Sequence, residues 1–167
     1  EKFGKKILTF PDRIRLTVEA IESGKSAMFL GGWYSFTGEQ GKGGWGRTRL
    51  ADILPLRCLD YEDLMESTEG FSVEATPPGS KAFLDFDFSH LPPLLGYNRT
   101  LPRPEGQTLL KIKETGDPLL ATMKVGKGQA LAFTSDPAPH WGCNFIFWDK
   151  YQEFWLHSLD LICLQKD

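Results

Sequence analysis

Between Ala27 and Leu30 four apolar residues run without a break and stop at the glycine pair Gly31 and Gly32. A short continuous apolar run bounded by glycine suits a strand buried on both faces, since a half-exposed strand would alternate apolar with polar residues. The preceding segment agrees. Pro11 and Asp12 open a stretch with apolar residues at Ile14, Val18 and Ile21, closed by Ser23 and Gly24. Proline at the first turn, helical spacing and a terminal glycine predict one amphipathic helix. A helix feeding a strand covered on both faces points to an α/β sheet.

Further along, Thr48 to Leu54 is expected to form a short helix before Pro55, and "PLRCLDYED" an edge segment. Residues 70–106 are rich in proline and are expected to be irregular surface chain with short ordered pieces. Three strands are predicted in quick succession, at 108–114, 119–125 and 130–136. Their connectors, with Gly116 and Asp117 in one and Gly126 to Gly128 in the other, are short enough for antiparallel hairpins. At the end of the chain Trp148, Tyr151, Trp155, Leu159 and Ile162 recur at helical spacing and predict a core-facing stripe. The expected architecture is a mostly parallel α/β sheet with an antiparallel hairpin addition and a closing helix.

A chain of 167 residues that is 41% hydrophobic and 25% charged suits one domain, 1–167, with a sizeable core. Its formal net charge of -3 is small and its charges are interspersed, so no nucleic acid is expected as a partner. No apolar stretch approaches the roughly 20 residues that a membrane-spanning helix needs, and no membrane contact is expected. Cys58, Cys143 and Cys163 are too few and too widely spaced for a disulfide framework or zinc knuckle, which favours a reducing, cytoplasmic setting. The chain starts at Glu1 without a charged and apolar leader, so it is expected to be processed or part of a longer product.

Chemistry is expected at two strand ends. Gly31 and Gly32 allow a tight turn that presents Trp33, Tyr34 and Ser35 at the carboxyl edge of the sheet, where open α/β sheets bind ligands. Such a turn is also how a nucleophile elbow is built, although the pattern GxSxG is absent and Ser35 more readily bonds the turning backbone. After the late strand, "TSDPAPHWGC" carries Asp136, His140, Trp141 and Cys143 on a loop stiffened by two prolines. A histidine there can act as general base with Asp136 orienting it, or simply be a hydrogen-bonded structural residue. Asp136, His140 and Cys143 match zinc spacings poorly, so no metal is expected. Gly41, Gly43 and Gly46 satisfy GxGxxG, but they lie beyond the strand end and Trp45 crowds the turn. A dinucleotide or other cofactor is therefore not expected, and the glycine-rich segment reads as a mobile flap.

Taken together, "GGWYSFTG" after an apolar strand, "LLGYN" at 94–98, "DPLLATMKVGKGQALAFTSDPAPHWG" at 117–142 and "FWDKYQEFW" at 147–155 resemble the glutamine-amidotransferase-like family. That resemblance implies a flavodoxin-like three-layer α/β/α fold, with family members commonly carrying further strands before the position where this chain begins. It also implies comparison with a Cys, His, Glu triad in which an elbow thiolate attacks the glutamine amide. His140 stands where the family histidine is expected. The elbow, however, bears aromatic residues and no cysteine, and Gly142 replaces the acid two residues beyond the histidine. Glutaminase action by the usual triad is therefore not expected. Three readings stay open: a module binding an unidentified small molecule through Gly31, Gly32, Trp33, Tyr34 and Trp141; a hydrolase or transferase using His140 with Asp136 and Ser35 or water; and a homo-oligomerisation domain.

Overall fold

In the computed structural model, residues 11–163 are described. Asp12 caps the first helix, α1 (Arg13–Glu22), by accepting the Arg15 N–H at 3.0 Å. The helix buries Val18 and Ile21 and turns through Gly24 into β1 (Ser26–Leu30). A glycine-rich segment then leads to α2 (Leu50–Ile53), β2 (Leu56–Cys58), β3 (Leu64–Phe71) and β4 (Val73–Ala75). The remaining elements are α3 (Pro77–Ala82), β5 (Leu94–Asn98), β6 (Thr100–Pro102), β7 (Gln107–Ile112), β8 (Pro118–Val125), β9 (Gly128–Phe133) and α4 (Tyr151–Cys163).

Five strands form the central sheet in the order β1-β9-β8-β7-β4, and two small antiparallel ribbons, β2 with β6 and β3 with β5, flank it. The molecule is mixed α/β, as expected. Among the described residues only β1 and β9 pair in parallel, with Met28 opposite Leu131, while β9-β8, β8-β7 and β7-β4 are antiparallel. The expected mostly parallel sheet is thus met by one parallel pair. The reason is connection length: a parallel crossover needs a dozen or more residues, whereas 113–117 and 126–127 allow only hairpins.

Side chains on β9 alternate between two cores. Leu131 and Phe133 join Phe145, Phe154 and Ile162 on one face, where α4 packs. Ala130 and Ala132 join Val18, Ile21 and Phe29 on the other, where α1 packs. The helical stripe is shifted from its expected phase. Phe154, Ser158 and Ile162 are the buried positions of α4, while Leu159 is 42% exposed and Trp148 is buried before the helix begins.

Residues 70–106 also differ from expectation. They hold β4, α3, β5 and β6, and Leu94, Tyr97, Asn98 and Thr100 are fully buried. The prolines flank these elements instead of interrupting them: Pro77 and Pro78 start α3, Pro92 and Pro93 precede β5, and Pro102 ends β6.

Candidate functional site

The two expected strand ends lie side by side because β1 and β9 are parallel neighbours, so the chain leaves both at the same edge of the sheet. At the end of β1 the Gly31 N–H is shared between the Phe133 and Ser135 carbonyls, at 2.8 and 3.0 Å. A Cβ at Gly31 would stand 2.2 Å from the Thr134 carbonyl oxygen, so only glycine fits against the neighbouring backbone. Gly32, at φ +142, donates its N–H to Asn98 Oδ1 at 2.8 Å. Both glycine N–H groups of the elbow are therefore engaged within the chain.

A buried polar strut fixes the chain beyond the elbow. Asp63 accepts the Thr37 and Gly38 N–H groups, each at 2.9 Å, and the Asn98 Nδ2 donor at 2.9 Å. Burial pushes the Asp63 carboxyl up, against the pull of these bonds, led by that from Asn98. Backbone bonds from Glu39 to Trp33, from Gly43 to Thr37 and from Trp45 to Phe36 fold the segment back on itself, with the Phe36 ring fully buried. The glycine-rich segment, expected as a mobile flap, is a loop folded on its own backbone hydrogen bonds. Its glycines serve close backbone approach, as at Gly43, where a Cβ would meet three carbonyl oxygens within 2.9 Å.

At the end of β9 the expected Asp136 and His140 contact is present, with Nδ1 2.8 Å from Asp136 Oδ2. Asp136 also accepts the Gly142 and Trp141 N–H groups, at 2.8 and 3.3 Å. An ionised carboxylate only accepts, so Nδ1 is the donor in this contact, and Nε2 is a lone-pair acceptor when the ring is neutral. His140 is held at φ +153, a backbone conformation that favours glycine.

Sequence reasoning missed the third member of this cluster. Glu66, on β3, accepts the Trp141 and Trp33 indole N–H groups at its Oε1, at 2.8 and 3.1 Å. These bonds, the one from Trp141 foremost, hold its carboxyl below the ordinary range, and the nearby His140 adds to the effect. His140 Nε2 stands 3.9 Å from Glu66 Oε1, and the Trp33 and His140 rings meet edge to face at 4.7 Å. Nothing in the polar stretch "LMESTEG" distinguishes Glu66 from any surface carboxylate; its partners come from two other chain segments.

A cavity of about 310 Å³ opens here, lined by Glu66, Ser67, Thr68, Leu95, His140 and Trp141. Of the expected ligand-binding residues Trp141 lines it and Trp33 reaches it through Glu66. Tyr34 is exposed, with Lys42 Nζ 5.7 Å above its ring. No hydrogen bond joins His140 to Ser35 among the described residues; the Ser35 carbonyl instead accepts from Asn98. The cysteines offer no thiolate at the elbow: Cys58 packs under Gly46, where burial and then the Asp63 charge push its thiol up to about 12. Among the described residues no group of three or more His, Cys, Asp or Glu side chains is placed to hold a metal ion, and no helix is long and apolar enough to cross a membrane.

The family described as "Putative glutamine amidotransferase" matches residues 3–164. A cytoplasmic protein from Salmonella typhimurium LT2 is 35% identical over 92% of this chain, with a TM-score of 0.85. A second cytoplasmic protein from Salmonella typhimurium is 31% identical over 95%, with a TM-score of 0.86. The chain spans 62% and 63% of the length of these two, less than two thirds of either. An exo-β-1,4-mannosidase from an Opitutaceae bacterium shares the fold alone, at 19% identity over 95% of this chain and 24% of that one, with a TM-score of 0.54. No curated protein matches.

Proposed function

Since the chain belongs to the glutamine amidotransferase-like family, we propose that it is a family member that binds a small molecule at the joined ends of β1 and β9 without acting as a glutaminase. One observation carries this reading. Where a glutaminase needs a nucleophile, the elbow presents Trp33, whose indole N–H is bonded to Glu66, on a turn whose two glycine N–H groups are already engaged. The finer fold reading is a flavodoxin-like three-layer α/β/α domain over 1–167, supported by α1 and α4 packing on opposite faces of the sheet. The cytoplasmic setting is supported by the description of the two Salmonella relatives.

The test is ammonia release from glutamine by the purified chain, scored together with the indole resonances of Trp33 and Trp141 during ligand titration. No ammonia is expected. Release that His140→Ala abolishes would overturn the reading.

The Asp136 and His140 contact favours a second reading, in which Nε2 acts as general base toward a water in the cavity, in a hydrolase or transferase. Ser35 is the weaker nucleophile here, because it shares no hydrogen bond with His140 among the described residues. Turnover of a bound ligand, lost in both His140→Ala and Asp136→Asn, would establish that reading over simple binding.

A further inference from the structure

The hydrogen-bonding inventory of the cavity indicates which ligand chemistry it recognises, given the binding reading above. Besides the Ser67 and Thr68 hydroxyls, its polar side chains are the Glu66 carboxylate and the His140 imidazole, and with His140 neutral both offer acceptors. Glu66 receives the Trp141 and Trp33 N–H groups on Oε1, and its Oε2 has no hydrogen-bond partner among the described residues. His140 donates through Nδ1 to Asp136, so in its neutral form the ring turns Nε2 toward Glu66 as a lone pair. The indole N–H groups, the site's strongest neutral donors, are consumed in holding the carboxylate. Among the described residues no lysine or arginine lines the cavity; the nearby Lys42 lies over Tyr34 instead.

Charge points the same way. Glu66 is held ionised by its two indole bonds, Asp136 lies behind the imidazole, and the wall includes the Trp141 indole beside Leu95. A fixed carboxylate attracts a cation by its charge and accepts its hydrogen bonds, and the apolar wall beside it takes the body that carries the charge. An anion would meet the Glu66 charge, with only the Ser67 and Thr68 hydroxyls to donate to it. A neutral alcohol would find acceptors but leave the carboxylate uncompensated. A volume of about 310 Å³ is at the small end of ligand pockets and suits an ammonium head on a short apolar body.

We propose that the cavity between Glu66, His140 and Trp141 binds a small organic cation, a primary ammonium carrying a compact apolar group. The ammonium donates to Glu66 Oε2 and His140 Nε2, and its apolar body lies against Trp141 and Leu95.

The experiment titrates the wild-type protein with benzylammonium, benzyl alcohol and benzoate while following the Trp33 and Trp141 indole N–H resonances, assigned with Trp→Phe variants. Benzylammonium is expected to saturate these shifts at a concentration at least about tenfold below benzyl alcohol, with benzoate silent, the ratio typical of one charge-assisted hydrogen bond. Glu66→Gln, which preserves the acceptor for both indoles but removes the charge, is expected to weaken benzylammonium by about tenfold and leave benzyl alcohol unchanged. Tighter binding of benzyl alcohol or benzoate would overturn the cation assignment and leave the cavity a binding site. Absence of saturable shifts with all three probes would overturn both.

Discussion

At the scale of single residues the site is governed by which atoms have already been taken. Glu66 illustrates the consequence for pH. Its carboxyl is held below the ordinary range in the folded chain by Trp141, then Trp33, then His140. A lowered folded value means that the stabilisation is present above the unfolded value and is lost as pH falls through the folded one. Wild-type protein is therefore expected to lose its melting-temperature advantage over Glu66→Gln on acidification below the usual glutamate range, measured as paired melts across a pH series. Asp63 works in the opposite sense. Burial raises its value, so its contribution is present below the ordinary carboxyl range and falls as pH rises through the raised one. Glycine substitutions separate space from conformation in the same way. Gly31→Ala drives a Cβ to 2.2 Å from a backbone oxygen that cannot swing aside, and should cost about 3 kcal/mol or more in denaturant unfolding. Gly41→Ala meets nothing within 4 Å and bears only its φ of +72, which should cost about 1 kcal/mol.

At the scale of elements the elbow is held from β5 as much as from β1. Asn98, the last residue of β5, accepts from Gly32 and donates to Asp63, which in turn carries the N–H groups of Thr37 and Gly38. Asn98→Ala leaves a buried carboxylate and a buried N–H without that partner, a loss of about 3 kcal/mol. Amide exchange should show where it acts: Gly32, Thr37 and Gly38 are expected to lose protection first, while the β7, β8 and β9 ladder keeps its protection until global unfolding. Equal loss everywhere would show that Asn98 supports the whole sheet instead of the elbow. This strut also explains what the sequence could and could not disclose. Local signals found α1, β1 and the β7, β8 and β9 run, because capping, apolar runs and short glycine connectors are written in neighbouring residues. The Asp136 and His140 contact was legible for the same reason, its partners being four residues apart. Glu66, Asp63 and Asn98 were not, since each is an ordinary polar residue whose role depends on segments 25 to 75 positions away.

At the scale of the whole molecule the central sheet is a partition between two cores, and β9 belongs to both. Leu131 and Phe133 face the aromatic side with Phe145 and Phe154, while Ala130 and Ala132 face α1. The sequence pattern could not show this division, because a strand buried on both faces reads as one apolar run whichever partner each side chain meets. The pairing has an energetic consequence. Neither face can lose its helix without exposing the strand that roofs the other, so the two cores should unfold together. Truncations on opposite faces test it. Phe154→Ala empties a fully buried position among Phe83, Phe133 and Phe145, and should cost about 3–5 kcal/mol. Ile21→Ala empties its counterpart beneath α1 and should cost about 2–5 kcal/mol. In each variant the near-ultraviolet signal of the aromatic core and the far-ultraviolet signal of the backbone are expected to fall at one shared denaturant midpoint. If Ile21→Ala instead released backbone signal while the aromatic signal stayed native, α1 and its core would be a separate unfolding unit. The partition would then divide the molecule's stability as well as its space.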